Sequence, residues 1–148
     1  MFQEPIQIVL ADDDEDDRLF FKDAFEEIKI KTKVKFVKDG IELMNHLTEN
    51  GNQLPHILFL DLNMPRKNGI ECLLEIKRMN NLKNMAIAIY STSSSSQDIE
   101  ETFVQGANVY IKKPNDFNTL KRILLEVIKV DWQYQTSGLN RANYLLSL

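Results

Sequence analysis

A single cysteine, Cys72, is all the thiol chemistry that the 148 residues offer. One thiol forms no intramolecular disulfide and no cysteine metal cluster. Long apolar runs are also missing. Ile8–Ala11, the run nearest the start, is far shorter than a signal-peptide core and leads into an acidic block. No stretch approaches the ~20 residues of a membrane span. Basic charge is not in excess: 18 Lys and Arg face 22 Asp and Glu, a net of −4, which excludes a general polycation for nucleic acid. There is no internal repeat, and no Gly-x-Ser-x-Gly that would mark a serine nucleophile. What is present is an apolar fraction of 43 %, enough core for one domain of this length. The acidity is local. Asp12–Asp17 is an unbroken block of acids, and outside it bases slightly outnumber acids. The expectation is a soluble, cytoplasmic, single-domain protein with no nucleic-acid or membrane partner.

Two kinds of segment alternate along the chain. Short apolar runs read as buried strands: Ile6–Ala11, Val34–Val37, Ile57–Leu60, Ala86–Tyr90 and Val109–Ile111. Between them the apolar spacing is helical. Phe20, Phe21, Ala24, Phe25 and Ile28 share one face of a first helix from about Asp16 to Ile28. Ile41, Met44 and Leu47 mark a second, and Ile70, Leu73 and Leu74 a third after Gly69. A fourth near Gln97–Gln105 ends at Gly106, a suitable C′ residue. Leu120, Ile123, Leu124, Val127 and Ile128 give the fifth. This strict alternation predicts an α/β fold with one parallel sheet covered by helices on both faces. The segment 131–148 falls outside the pattern; its Trp132, Tyr134, Tyr144 and Leu139/Ala142/Leu145/Leu146 stripe reads as one more short helix or as a segment that docks on a partner.

In doubly wound sheets the functional crevice lies beyond the carboxyl ends of the strands. Four of the five predicted strands end in polar groups: Asp12-Asp13, Asp61-Leu62-Asn63-Met64-Pro65, Ser91-Thr92 and Lys112-Lys113-Pro114. Three carboxylates on one rim repel one another, and a hard divalent cation such as Mg²⁺ relieves that repulsion. Lys113 adds fixed positive charge and Ser91 a hydroxyl. A carboxylate beside Mg²⁺, a lysine and a hydroxyl is suited to accept a phosphoryl group.

In these residues the chain resembles the receiver domain of two-component response regulators. The resemblance spans 5–130 and rests on Ile8-Val9-Leu10-Ala11-Asp12-Asp13-Asp14, on Leu60-Asp61-Leu62-Asn63-Met64-Pro65 with Gly69, on Ser91-Thr92, and on Tyr110-Ile111-Lys112-Lys113-Pro114. It implies a five-stranded flavodoxin-like sheet in the order 2-1-3-4-5. It implies Asp61 as phosphoacceptor. Asp12, Asp13, Asp61 and the backbone carbonyl of Asn63 would hold Mg²⁺, with Mn²⁺ as a substitute. Ser91, Thr92 and Lys113 would bind the phosphoryl oxygens. Ser91 and Tyr110 would be the switch pair, Tyr110 moving inward as Ser91 is drawn to the phosphate. The Lys113–Pro114 bond would be cis. The implied donor is a sensor histidine kinase or phosphotransfer protein, and the downstream partner is unspecified. With only the 131–148 extension after the receiver pattern, the chain is similar to stand-alone receivers that work with phytochrome-type kinases. That extension raises the expectation of a homodimer. Such a protein catalyses only its own phosphorylation and dephosphorylation.

Simpler readings stand beside these. The acidic block also suits a helix first turn, which is the better reading for Asp16 and Asp17. An EF-hand fails because Asp17 stands where the loop needs glycine. Tyr110 also suits a plain core position, His46 and His56 read as structural, and Cys72 reads as a small buried residue. An aspartate-nucleophile phosphohydrolase is the competing activity. It needs a second Asp two residues after the nucleophile, and here that residue is Asn63, which cannot shuttle protons as a carboxylate does. A phosphorylation-independent scaffold is the third reading, opposed by the intact set of Asp12, Asp13, Asp61, Ser91 and Lys113.

Overall fold

The computed structural model describes residues 4–49, 51, 53–129 and 144–146. Continuous burial identifies the central strands. β3 (Ile57–Leu60) and β4 (Ala86–Ser91) are buried at every position, and β1 (Ile6–Ala11) over its last four. Strands covered on both faces read as unbroken apolar runs, as these do. β2 (Thr32–Val37) alternates instead, with Lys33 and Lys35 exposed, the pattern of a sheet edge guarded by charge. β5 (Val109–Lys112) pairs with β4, and all pairings are parallel.

The helices are α1 (Glu15–Glu27), α2 (Gly40–Thr48), α3 (Gly69–Arg78), α4 (Ser96–Val104) and α5 (Phe117–Lys129). Their ends reflect local chemistry. Asp14, Asp39, Asn68 and Ser95 each accept a backbone N–H from the first turn of the next helix. Asn68 and Glu71 complete a reciprocal capping box. α4 stops at Gly106, whose φ of 96° is left-handed, with Ala107 N–H on Thr102 O and Gly106 N–H on Phe103 O.

Side chains alternate across each strand and so build two cores. On one face Val9, Ala11, Leu58, Leu60, Ile87 and Ile89 pack with residues of α2 and α3, and with Ile99 and Phe103 of α4. On the other face Ile8, Leu10, Ile57, Phe59, Ala88 and Tyr90 pack with α1 and α5. Phe21 of α1 is the hub there, its ring 5.0 Å from Phe25, 5.0 Å from Phe59 and 5.6 Å from Tyr90. No described helix is long and apolar enough to cross a membrane.

The sheet order is β2-β1-β3-β4-β5-β6. It contains the expected 2-1-3-4-5 and adds β6 (Leu145–Leu146), parallel to β5. The five expected strands stand in their expected order, and among the described residues a short sixth is added at the edge. A two-residue strand is too short to show a period, so in sequence its leucines merge into a helical stripe. Beside it, Tyr144 is wholly buried, donates to Thr102 Oγ1 at 2.6 Å, and sets its ring against Phe103 and Tyr110. The described end of the extension therefore docks on the chain's own sheet. Trp132, Tyr134, Leu139 and Ala142 of the expected stripe lie outside the described residues.

Candidate functional site

Backbone hydrogen bonds carry the sheet pattern one residue past the strands and fix the site from below. Asp12 N–H donates to Val37 O at 3.0 Å, Asp61 N–H to Ala11 O at 3.0 Å, and Lys113 N–H to Ser91 O at 2.8 Å. Asp12, Asp61 and Lys113 thus emerge at one rim although they are far apart in sequence. The β1–α1 corner is tied down further. Asp12 Oδ1 accepts the Asp14 N–H at 3.0 Å, and Arg18 Nη1 donates to the Asp12 carbonyl at 2.8 Å. Behind Asp61, Gly69 lies so close that an added Cβ would stand 2.2 Å from the Asp61 carbonyl oxygen and 2.7 Å from Leu62 Cα. The Gly69 N–H also holds Leu62 O at 3.0 Å. Only glycine allows that approach, which explains its place in the β3–α3 segment.

The carboxylates of Asp12, Asp13 and Asp61 each bring an oxygen within 4.8 Å of the others'. Asp12 is wholly buried, Asp61 is 5 % exposed, and Asp13 is open to solvent. Burial is the largest influence on Asp61 and, with the neighbouring Asp12 charge, lifts its carboxyl to about 6 against the pull of Lys113 and of the Asn63 N–H. Burial raises Asp12 as well, opposed by Lys113 and the Asp14 N–H. Lys113 answers these charges. Its Nζ lies 2.8 Å from Asp12 Oδ2, 2.8 Å from Asp17 Oδ2 and 3.4 Å from Asp61 Oδ2, over the Tyr90 ring at 5.4 Å. Burial alone would lower this ammonium, but the surrounding acids outweigh it and raise it.

One ammonium does not saturate this set. Asp12 Oδ2 is buried and has no aligned hydrogen-bond donor among the described residues, despite the Lys113 contact. A buried carboxylate oxygen without an aligned donor is costly. Three converging carboxylates, two of them buried, are the oxygen-donor chemistry of a hard divalent cation, so the residues present fit one. Asn63, exposed, donates its N–H to Asp61 Oδ1 at 3.3 Å.

On the opposite side of the rim Ser91 is wholly buried, and its Oγ accepts the Ser93 N–H at 3.1 Å. Thr92 is exposed beside it. Tyr110 is also wholly buried, donates from its hydroxyl to Ser93 O at 2.9 Å and sets its ring against Tyr144. The expected cis Lys113–Pro114 bond is corrected. No cis peptide occurs among the described residues. Trans is the lower-energy isomer for X–Pro, and Lys113 reaches all three acids without the tight turn that the cis form would serve.

Three participants are not visible in the sequence pattern. Asp17 has the character of a first-turn acid, yet it pairs with Lys113; it lies just inside α1, which returns it to the rim. Ser93 links Ser91, Tyr110 and, through its Oγ on Asp98 Oδ2 at 2.7 Å, helix α4; nothing in a run of serines singles it out. Tyr144 backs Tyr110 from a segment with no legible period. Cys72 and His56 have the structural roles expected of them. Burial pushes the Cys72 thiol up to about 12, and His56 Nδ1 accepts the Gln7 N–H at 2.9 Å as a structural tie.

Known proteins are similar to this chain in sequence and fold. The probable methanogenesis regulatory protein FilR2 of Methanothrix harundinacea is 30 % identical over 133 residues, covering 88 % of this chain and 85 % of its own length. Response regulator Rcp1 of Synechocystis is 27 % identical over 124 residues, covering 81 % and 84 %. Among solved structures, the phosphorylated cyanobacterial phytochrome response regulator RcpA superposes with a TM-score of 0.79 at 29 % identity, covering 85 % of this chain and 93 % of that one. The Mn²⁺-bound form of Rcp1 gives 0.74 at 26 % identity, covering 90 % and 93 %. The family model of the response regulator receiver domain matches residues 8–125. The chain therefore belongs to the response regulator receiver domain family, whose members accept phosphoryl groups in two-component signalling and partner with histidine kinases or phosphotransfer proteins.

Proposed function

We propose that Asp61 is the phosphoacceptor of this receiver. The observation that carries the reading is the position of its buried carboxylate, 3.4 Å from the Lys113 ammonium and within one cluster with Asp12 and Asp13. In the transfer step an Asp61 oxygen attacks the phosphorus of a phosphohistidine on the donor. The new O–P bond forms as the donor's P–N bond breaks, and the imidazole nitrogen keeps the electron pair. Lys113 offsets charge on the transferring oxygens. Asp12, Asp13, Asp61 and the Asn63 carbonyl would hold Mg²⁺, or Mn²⁺ in its place, which supplies a second positive charge for the same oxygens.

The acyl phosphate adds roughly −1.5 to −2 charges, by analogy with other phosphorylated side chains. Ser91 then turns its hydroxyl from accepting the Ser93 N–H to donating to a phosphoryl oxygen, and the Thr92 N–H faces the same group. Because Ser93 holds Tyr110 and Asp98, this movement reaches β5 and α4 together. The downstream partner reads that face by a population shift, in which phosphorylation acts only through its different free energy in the two states. In this reading 5–130 is the receiver and 131–148 the extension. The protein works in the cytoplasm, turns over no other substrate, and takes its phosphoryl group from a phytochrome-type kinase or its phosphotransfer partner. The likeness to the phytochrome response regulator RcpA supports that donor class. A homodimer through 131–148 belongs to the same proposal; an unchanged monomer mass in solution with and without the extension refutes it.

The test of Asp61 is labelling by a small phosphodonor with Mg²⁺, read by intact mass. The expected result is one added phosphoryl group in the wild type and none in Asp61→Ala. An unlabelled wild type, or equal labelling of the variant, overturns the assignment.

A further inference from the structure

Lys113 makes three contacts with acids, and they are unequal. Its Nζ is 2.8 Å from Asp12, 2.8 Å from Asp17 and 3.4 Å from Asp61. Its aligned hydrogen bonds run to Asp17 and, at longer range, to Asp61, whereas the Asp12 contact is an ion pair without an aligned proton. The Lys113 side chain is only 8 % exposed, above the Tyr90 ring, so water offers it little compensation. A phosphoryl group on Asp61 draws this lysine toward Asp61, against the shorter hydrogen bond that holds it on Asp17.

The two closely held acids differ in what release would cost them. Asp12 is wholly buried and hemmed in by the Arg18 and Asp14 hydrogen bonds, so losing the ammonium would leave a charge stranded in the interior. The Asp17 side chain is 36 % exposed and lies on the first turn of α1. Released, it can rotate into water and stay favourably placed at a helix N-terminus. Asp17 is thus the releasable partner.

We propose that Asp17 is a positioning residue that competes with the phosphoryl group for Lys113. It holds the ammonium toward α1, 0.6 Å closer to itself than to Asp61, and surrenders it when an anion arrives on Asp61. The consequence is a lowered affinity of the site for phosphoryl-like anions, set by a residue that touches neither the anion nor a metal. The proposal rests on the roles of Asp61 and Lys113 in phosphoryl transfer.

The test measures beryllofluoride binding by calorimetry on the full chain at saturating Mg²⁺. Asp17→Asn removes the competitor while keeping its shape, and it tightens anion binding by about two- to fivefold, the scale of a part-exposed ion pair. Asp16→Asn removes the same charge from the same helical turn at an exposed position, and it changes binding by less than half as much. Asp17→Glu restores the charge and returns affinity toward the wild-type value. Weaker or unchanged binding in Asp17→Asn, equal tightening in Asp16→Asn, or Asp17→Glu behaving like Asp17→Asn each overturns the competition. Failure of the underlying assignment looks different: the wild type binds no beryllofluoride, or Asp61→Ala binds it equally well. Circular dichroism and a normal unfolding midpoint establish that each variant is folded.

Discussion

Replacing Asp61 by Asn should make the metal-free protein more stable at neutral pH. The buried Asp61 carboxyl titrates near 6 in the folded chain against an ordinary value of 3.8, chiefly because burial disfavours its charge. The folded state therefore holds this proton more tightly than the unfolded state does. Below pH 3.8 both states are protonated and no penalty arises. As pH rises from 3.8 through 6 the unfolded chain ionises freely while the folded chain resists, so stability falls. Above 6 the penalty is complete. The gap between 3.8 and about 6 corresponds to about 3 kcal/mol. Asp12 shares the titration, so the transition belongs to the pair. Asp61→Asn is neutral at every pH and escapes the penalty, while Lys113 keeps Asp12 and Asp17 as partners. Urea unfolding in a chelator should give a gap below about 1 kcal/mol near pH 4 and an advantage of about 3 kcal/mol for the variant at pH 7.5. Millimolar Mg²⁺ should narrow that gap by stabilising the wild type. A variant equally or less stable than wild type at pH 7.5, or a gap that is the same at both pH values, would show that burial of the Asp61 charge is not the cause.

Other perturbations probe other parts of the site. Lys113→Ala strands the buried Asp12 and should cost about 3 kcal/mol in metal-free buffer, with Mg²⁺ restoring more stability than it adds to the wild type; denaturant curves with and without metal check this. Gly69→Ala drives a methyl group against the Asp61 carbonyl and Leu62 Cα, and should cost about 2–3 kcal/mol while weakening Mg²⁺ binding, read by thermal unfolding and metal titration. Tyr144→Phe loses only the Thr102 hydrogen bond and should cost about 1 kcal/mol. Tyr144→Ala empties the space beside Phe103 and Tyr110 and should cost about 3 kcal/mol by the same unfolding measurement, and equal effects of the two substitutions would contradict the packing role.

Much of this molecule is legible in its sequence because its core strands are buried on both faces. Ile57–Leu60 and Ala86–Tyr90 are apolar runs buried at every position. α5 declares itself through Leu120, Ile123, Leu124 and Val127, all buried as their spacing requires. The site is legible for a related reason. A parallel sheet places its functional residues at the carboxyl ends of its strands, so the ends of β1, β3, β4 and β5 lead to Asp12, Asp61, Ser91 and Lys113. Residues that reach the rim from elsewhere are harder to see. Asp17 arrives from inside a helix, where an acid already has a sufficient local role. Ser93 acts through its backbone carbonyl as much as its side chain, and a carbonyl leaves no trace in sequence. Tyr144 depends on a long-range docking that no local period records. The trans Lys113–Pro114 bond shows the limit of resemblance: a family habit did not replace the isomer that this backbone adopts.

Co-crystallisation with Mg²⁺ and beryllofluoride would display the assembled phosphoryl site itself. The expected density has the anion on an Asp61 carboxylate oxygen, the cation against Asp13, Asp61 and the Asn63 carbonyl, and Lys113 turned from Asp17 to a fluoride. A cation seated away from the three aspartates, or an anion bound with Lys113 out of reach, would show that these residues do not form that site.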